Sequence, residues 1–140
     1  MGVMGAAQRV LQIVRWAMLS SILLYFLIAK QFAPTGSPNP VILYAVTVMA
    51  ITLVALMFVM RRVLVLRSAA ALAAQPNDAA ALHRWRTGHL VTYCLCEAIA
   101  LYGLVLRFLG FGSFQVAPFY LAGFILLLFY VPRAPSDTIG

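Results

Sequence analysis

Four long apolar runs separated by polar punctuation organise the chain: residues 10–29, 41–60, 90–109 and 114–131. Each is about 18 to 20 residues long, and a helix rising ~1.5 Å per residue needs about 20 to cross a hydrocarbon layer of ~30 Å. The pattern predicts an all-α, four-helix transmembrane protein, a single integral membrane domain over 1–140 with spans at about 10–30, 41–61, 88–109 and 114–131. "APTGSPNP" at 33–40 and "GFGS" at 110–113 are rich in residues that end helices, and they read as short turns.

The stretch between the second and third runs, "RRVLVLRSAAALAAQPNDAAALHRWRTGH", is polar but rich in helix formers. "QPND" interrupts it, and Asp78 is placed to cap the helix that follows. Spans two and three therefore continue into a long helical hairpin whose extension, about 62–87, projects into the cytoplasm. Its Ala-rich arms are suited to packing against each other.

Composition strengthens the membrane reading. Apolar residues make up 64% of the chain and charged ones 9%, against roughly half and about a quarter in soluble domains. The net charge of +7 is spread around the ends of the apolar runs instead of being gathered on a polar domain, which argues against nucleic acid as a partner. Threading four spans alternately puts Arg9, Arg15, Arg61, Arg62, Arg67, Arg84, Arg86 and Arg133 on one side and Lys30 with Arg107 on the other. By the positive-inside rule both termini and the hairpin face the cytoplasm, and the chain sits in a cell membrane, the inner one in a bacterium. Arg9 and Arg15 precede the apolar stretch "WAMLSSILLYFLIA" as they would in a secretory signal. It is long for such a signal and lacks a small-residue cleavage site, so it is expected to be retained as a helix. Ala6 stands where a myristoylation signal needs Ser or Thr.

Candidate chemistry centres on "CEAIALYGLVLR" at 96–107. Glu97 is the only acid in an apolar run, since Asp78 and Asp137 fall in polar stretches. With Arg84, Trp85 and Arg86 at the membrane boundary, Glu97 lies 11 residues deeper, about 16 Å along the axis and near mid-bilayer. A charged acid there costs roughly 2.5–3.5 kcal/mol, so the carboxyl is expected to be protonated, paired with a cation or open to a watery cavity; a plain interhelical hydrogen bond is the structural alternative. Arg107, ten residues on, points about 80° away and lies about 15 Å along the axis, which makes it a headgroup-reaching boundary residue and not an ion-pair partner. Tyr93, Tyr102, Thr47 and Thr52 are candidate hydrogen-bond partners, and His89 a candidate on a proton route from the cytoplasm. Cys94 and Cys96 point about 200° apart on a helix and form neither a disulfide nor a metal motif. His83 and His89 converge with no further ligands, and no nucleophile elbow or phosphate loop is present. No metal, cofactor or enzymatic activity is expected.

The segment "AAQPNDAAALHRWRTGHLVTYCLCEAIALYGLVL" resembles the loop and outer helix of the proteolipid c subunit of rotary ATP synthases, where an Ala-rich loop precedes a helix with a Glu-Ala-x-Ala-x-Tyr/Phe-Gly-Leu-Val pattern. Glu97, Ala98, Ala100, Tyr102, Gly103, Leu104 and Val105 stand at those positions, and the likeness covers about residues 73–106. The resemblance implies Glu97 as an ion-binding carboxyl with Tyr102 beside it, and protons as the ion, because Ala98 stands where sodium-binding relatives commonly carry a hydroxyl. The expected function is a proteolipid-like, oligomeric membrane protein with a proton-binding glutamate, an accessory or divergent part of an ion-translocating complex. The alternative is a non-transporting scaffold or assembly subunit whose cytoplasmic hairpin docks a larger complex. The expected partners are the lipid bilayer and either copies of the chain or the subunits of such a complex. Cys94, Ala98, Ala100 and Gly103 are small enough for close helix contacts in either case.

Overall fold

A computed structural model describes residues 2–31 and 37–133; the first half of the 33–40 turn and Asp137 lie outside the described residues. Every regular element in them is helical: α1 (Val3–Gln31), α2 (Pro40–Met60), a π-helical turn (Arg61–Leu66), α3 (Arg67–Ala74), α4 (Ala79–Phe108) and α5 (Ser113–Phe129). α2, the π turn and α3 form one continuous rod, Pro40–Ala74, so the architecture is four long helices. Three of these, Val3–Gln31, Pro40–Ala74 and Ala79–Phe108, are long and apolar enough to cross a membrane, and α5 is a shorter apolar helix. Observed helices run past the expected spans mainly at the arginine-rich end, where α1 begins at Val3 and α4 at Ala79.

Local chemistry sets the boundaries. Asn39 accepts the Val41 N–H through Oδ1 at 3.0 Å, with Pro40 preset at the first helical position of α2. Asp78 caps α4 as expected, its Oδ1 accepting from Ala80 N at 2.9 Å and Ala81 N at 3.1 Å. α4 ends where Gly110 takes a φ of 97°, a left-handed conformation that glycine adopts without steric penalty. Phe111 N–H then returns to the Leu106 carbonyl at 3.1 Å, and Gly112 N–H donates to Gln115 Oε1 at 3.0 Å to start α5.

α4 is the central helix, contacting α1, α2, α3, α5 and the π turn. Cross-helix pairs give the directions: Tyr25 meets Glu97 and Ala29 meets Arg107, so α1 runs parallel to α4. Met57 meets Cys96, and Gly123 meets Cys96 and Ala100, so α2 and α5 run antiparallel to it. α1 also packs on α5, whereas α2 touches neither. The rod continues down α4, where Gly88 admits Leu64 and Val65 so closely that an added Cβ would sit 2.7 Å from Val65 Cγ2. Val65, Ser68 and Leu72 are buried by this contact. The two arms of the hairpin thus pack on each other, as the Ala-rich sequence suggested.

One end of the bundle gathers Gln8, Arg15, Arg61 and the chain after α5: Gln8 donates to the Pro132 carbonyl at 3.0 Å, and Arg61 lies over the Tyr130 ring at 4.0 Å. The opposite end holds Lys30, Arg107 and the Gly110 turn. Large apolar side chains are exposed on every long helix, among them Leu23 and Leu27, Val48 and Ile51, Leu101 and Val105, Leu121 and Leu128. Such a surface is compatible with lipid as its solvent.

Candidate functional site

Glu97 sits midway along α4 on the side facing α1, half-buried. The Tyr25 hydroxyl, on α1, donates to Glu97 Oε1 at 2.7 Å. Among the described residues Glu97 forms no ion pair. The two buried arginines, Arg15 and Arg107, are engaged at the helix ends.

Arg107 is a correction to the sequence reading. Instead of reaching out to headgroups it is buried, with Nε donating to the Ala29 carbonyl at 3.0 Å and Nη1 to the Phe111 carbonyl at 3.0 Å. It caps the last turn of α1, whose final carbonyls lack helical partners, and ties it to the turn after α4. Arg15 does the same at the other end. Its Nε donates to the Leu127 carbonyl at 2.8 Å and its Nη2 to the Leu128 carbonyl at 3.1 Å, capping α5.

Trp85 is a second correction. Expected in the headgroup layer, its side chain is 1% exposed and packs edge-on against His89, with ring centroids 4.8 Å apart. Arg84 and Arg86 are exposed. The exposed indole at this end is Trp16, beside the Arg15 guanidinium at 5.6 Å.

The remaining candidate partners do not converge on the carboxyl. Tyr93, fully buried, donates to the Tyr130 carbonyl at 3.2 Å. Thr47 and Thr52 donate to the carbonyls of Leu43 and Val48 one turn back on their own helix. Tyr102 is half-buried, with no hydrogen bond to Glu97. His89 is 2% exposed, between Trp85 and Tyr93, and its Nδ1 has no partner. Trp85, His89 and Tyr93 follow one another every four residues and their rings meet in sequence along α4, whereas Glu97, one step further, is turned about 120° from Trp85 towards α1. His89 and Glu97 are about 12 Å apart along the axis.

Of the small residues expected to admit neighbouring chains, Ala100 and Gly103 are buried against α5 of the same chain, where Gly103 faces Phe119 and Tyr120. Cys94 is exposed and Ala98 half-exposed. Cys94 and Cys96 are both free thiols, and Cys96 Sγ contacts Met57 Sδ at 3.5 Å. No three His, Cys, Asp or Glu residues among those described gather as a metal site.

Tyr25 escaped the sequence reading, which looked for partners along the hairpin. The available signal was the Ser21 and Tyr25 pair, two hydroxyls four apart and so on one face of an otherwise apolar run. The chain matches no protein-family model, no curated protein and no solved structure.

Proposed function

We propose that this is a four-span integral membrane protein with both termini and the arginine-rich hairpin in the cytoplasm, in which Glu97 binds and releases a proton as an accessory or divergent component of an ion-translocating complex. The observation that carries the reading is the 2.7 Å hydrogen bond from Tyr25 to a mid-helix carboxyl that has no cation beside it. A tyrosine hydroxyl serves both states of such a group: it donates to either oxygen of a carboxylate, and to the carbonyl oxygen of the neutral acid. A fixed arginine would favour the charged state alone. The carboxyl is therefore held in place without being committed to one protonation state, which is what reversible proton binding in an apolar layer requires.

The carboxyl is oriented towards α1 of its own chain, so the site is self-contained and needs no ring of copies to complete it. Association with copies or with a host complex falls to the exposed faces, including Cys94 and Ala98 on α4. The scaffold reading draws on the exposed Val63, Leu66 and Ala70 of the hairpin arm, but the other face of that arm is already occupied by α4.

Dicyclohexylcarbodiimide, an apolar reagent that attacks protonated carboxyls, tests the proposal. The protein in lipid should gain one reagent mass at Glu97, with labelling suppressed at alkaline pH and abolished in Glu97→Gln while that variant still folds. Absence of labelling in the unmodified protein, or an adduct confined to Asp78 in the water-facing turn, would overturn the reading.

A further inference from the structure

A cleft of about 470 Å³ opens at the arginine-rich end between the π turn with α3, the start of α4 and the chain after α5. Arg61, His89 and Arg133 line it together with Trp85, Val65 and Phe129, and no acid is among its lining residues. Two of its nitrogens are buried without a hydrogen-bond partner, Arg61 Nη1 and His89 Nδ1. Buried polar atoms in folded proteins nearly always have partners, so two orphaned nitrogens on residues that line one cavity need an explanation. His89 is 2% exposed and immobilised between two rings, so it cannot turn to find a partner elsewhere. The Arg61 guanidinium is likewise held over the Tyr130 ring at 4.0 Å, which orients its fork without using its N–H groups.

We infer that this cleft is a binding site for a phosphate-type oxyanion. Such a group supplies several acceptor oxygens at once. One accepts from Arg61 and another from His89 in the tautomer that carries its proton on Nδ1, while the exposed Arg133 closes over the mouth as the second cation. The apolar wall of Val65 and Phe129 gives room for acyl chains, and basic pockets between membrane helices hold anionic headgroups in this way. A lipid headgroup and free phosphate share this chemistry.

The test uses the full chain in a neutral detergent, with thermal unfolding followed against inorganic phosphate, short-chain phosphatidic acid, and a diacylglycerol of the same chain length. A saturable rise in unfolding temperature with phosphatidic acid alone assigns a lipid headgroup. The same rise with inorganic phosphate assigns the free ion. Arg61→Gln and Arg133→Gln should each weaken the response about tenfold, and Arg62→Gln, outside the cleft, should leave it unchanged. Because Arg133 is exposed, its variant keeps the test decisive even if Arg61→Gln folds poorly. Ring-nitrogen NMR gives an independent readout, in which the His89 signal moves on titration and that of the exposed His83 does not. The inference is overturned if no probe gives a saturable response, if diacylglycerol acts as well as phosphatidic acid, if the Arg133→Gln response equals that of the unmodified protein, or if His83 moves instead.

Discussion

The Tyr25 and Glu97 pair can be weighed directly by a double-mutant cycle combining Tyr25→Phe with Glu97→Ala. The perturbation is small in volume for Tyr25→Phe, which removes one hydroxyl from a half-buried position and leaves the ring in place. The structure provides a single 2.7 Å hydrogen bond between the two side chains, so the coupling energy isolates that bond. Interhelical hydrogen bonds in membrane proteins average about 0.6 kcal/mol and reach about 1.7 kcal/mol, and bonds to a charged group lie at roughly 1.5–3 kcal/mol. The magnitude therefore reports the state of the carboxyl. A coupling near 0.6 kcal/mol is expected in acid, rising towards about 2 kcal/mol once the carboxyl ionises, because the hydroxyl is the better donor to a carboxylate. Reversible unfolding in mixed micelles, followed by ellipticity at several pH values, measures it. A coupling of zero at every pH would refute the placement of Tyr25, and a coupling that stays constant with pH would refute reversible ionisation at Glu97.

Three further substitutions probe the frame around the site. Gly123→Ala would place a Cβ 2.6 Å from the Cys96 carbonyl oxygen and 3.1 Å from Ala100 Cβ, forcing α4 and α5 apart at a destabilisation of about 1–3 kcal/mol; Gly5→Ala, which meets nothing within 4 Å, should be neutral in the same unfolding assay. Arg107→Gln removes the cap joining α1 to the Gly110 turn and should cost about 1.5–3 kcal/mol, with faster amide exchange in the last turn of α1. Asp78→Ala removes two bonds to the start of α4 and should cost about 1 kcal/mol, seen as exchange confined to the hairpin tip.

The elements were readable because their causes are local. Apolar run length gives the long helices, Asp78 and Pro40 start two of them, and "GFGS" ends α4 through Gly110. Which faces meet was not readable, because a helix that is apolar all round gives no periodic stripe to orient it. Tyr25 and Glu97 are 72 positions apart in sequence, and nothing in either segment names the other. Two composition rules also gave way to tertiary contacts. Trp85 prefers a headgroup layer only while its ring has no better contact, and here His89 and the rod bury it. Arg107 snorkels only if no nearer acceptors exist, and the open carbonyl of Ala29 is nearer.

The two buried arginines give the bundle a symmetry of purpose. Arg15 leaves α1 to close the C-terminal end of α5, and Arg107 leaves α4 to close the C-terminal end of α1. Each cation neutralises the negative end of a neighbouring helix dipole, so α1 is latched to α5 at one end of the bundle and to α4 at the other. α2 has no such latch: its backbone approaches α4 but neither α1 nor α5, its Phe58 meets the Tyr130 ring after α5, and an apolar cleft of about 450 Å³ lies between it and α5, lined by Thr47, Ile99 and Pro118. The carboxyl thus faces α1 within the three helices that the arginines join. Spending both interior arginines on helix ends has a chemical consequence: among the described residues no cation pairs with Glu97, and the Tyr25 hydroxyl is the group that holds it.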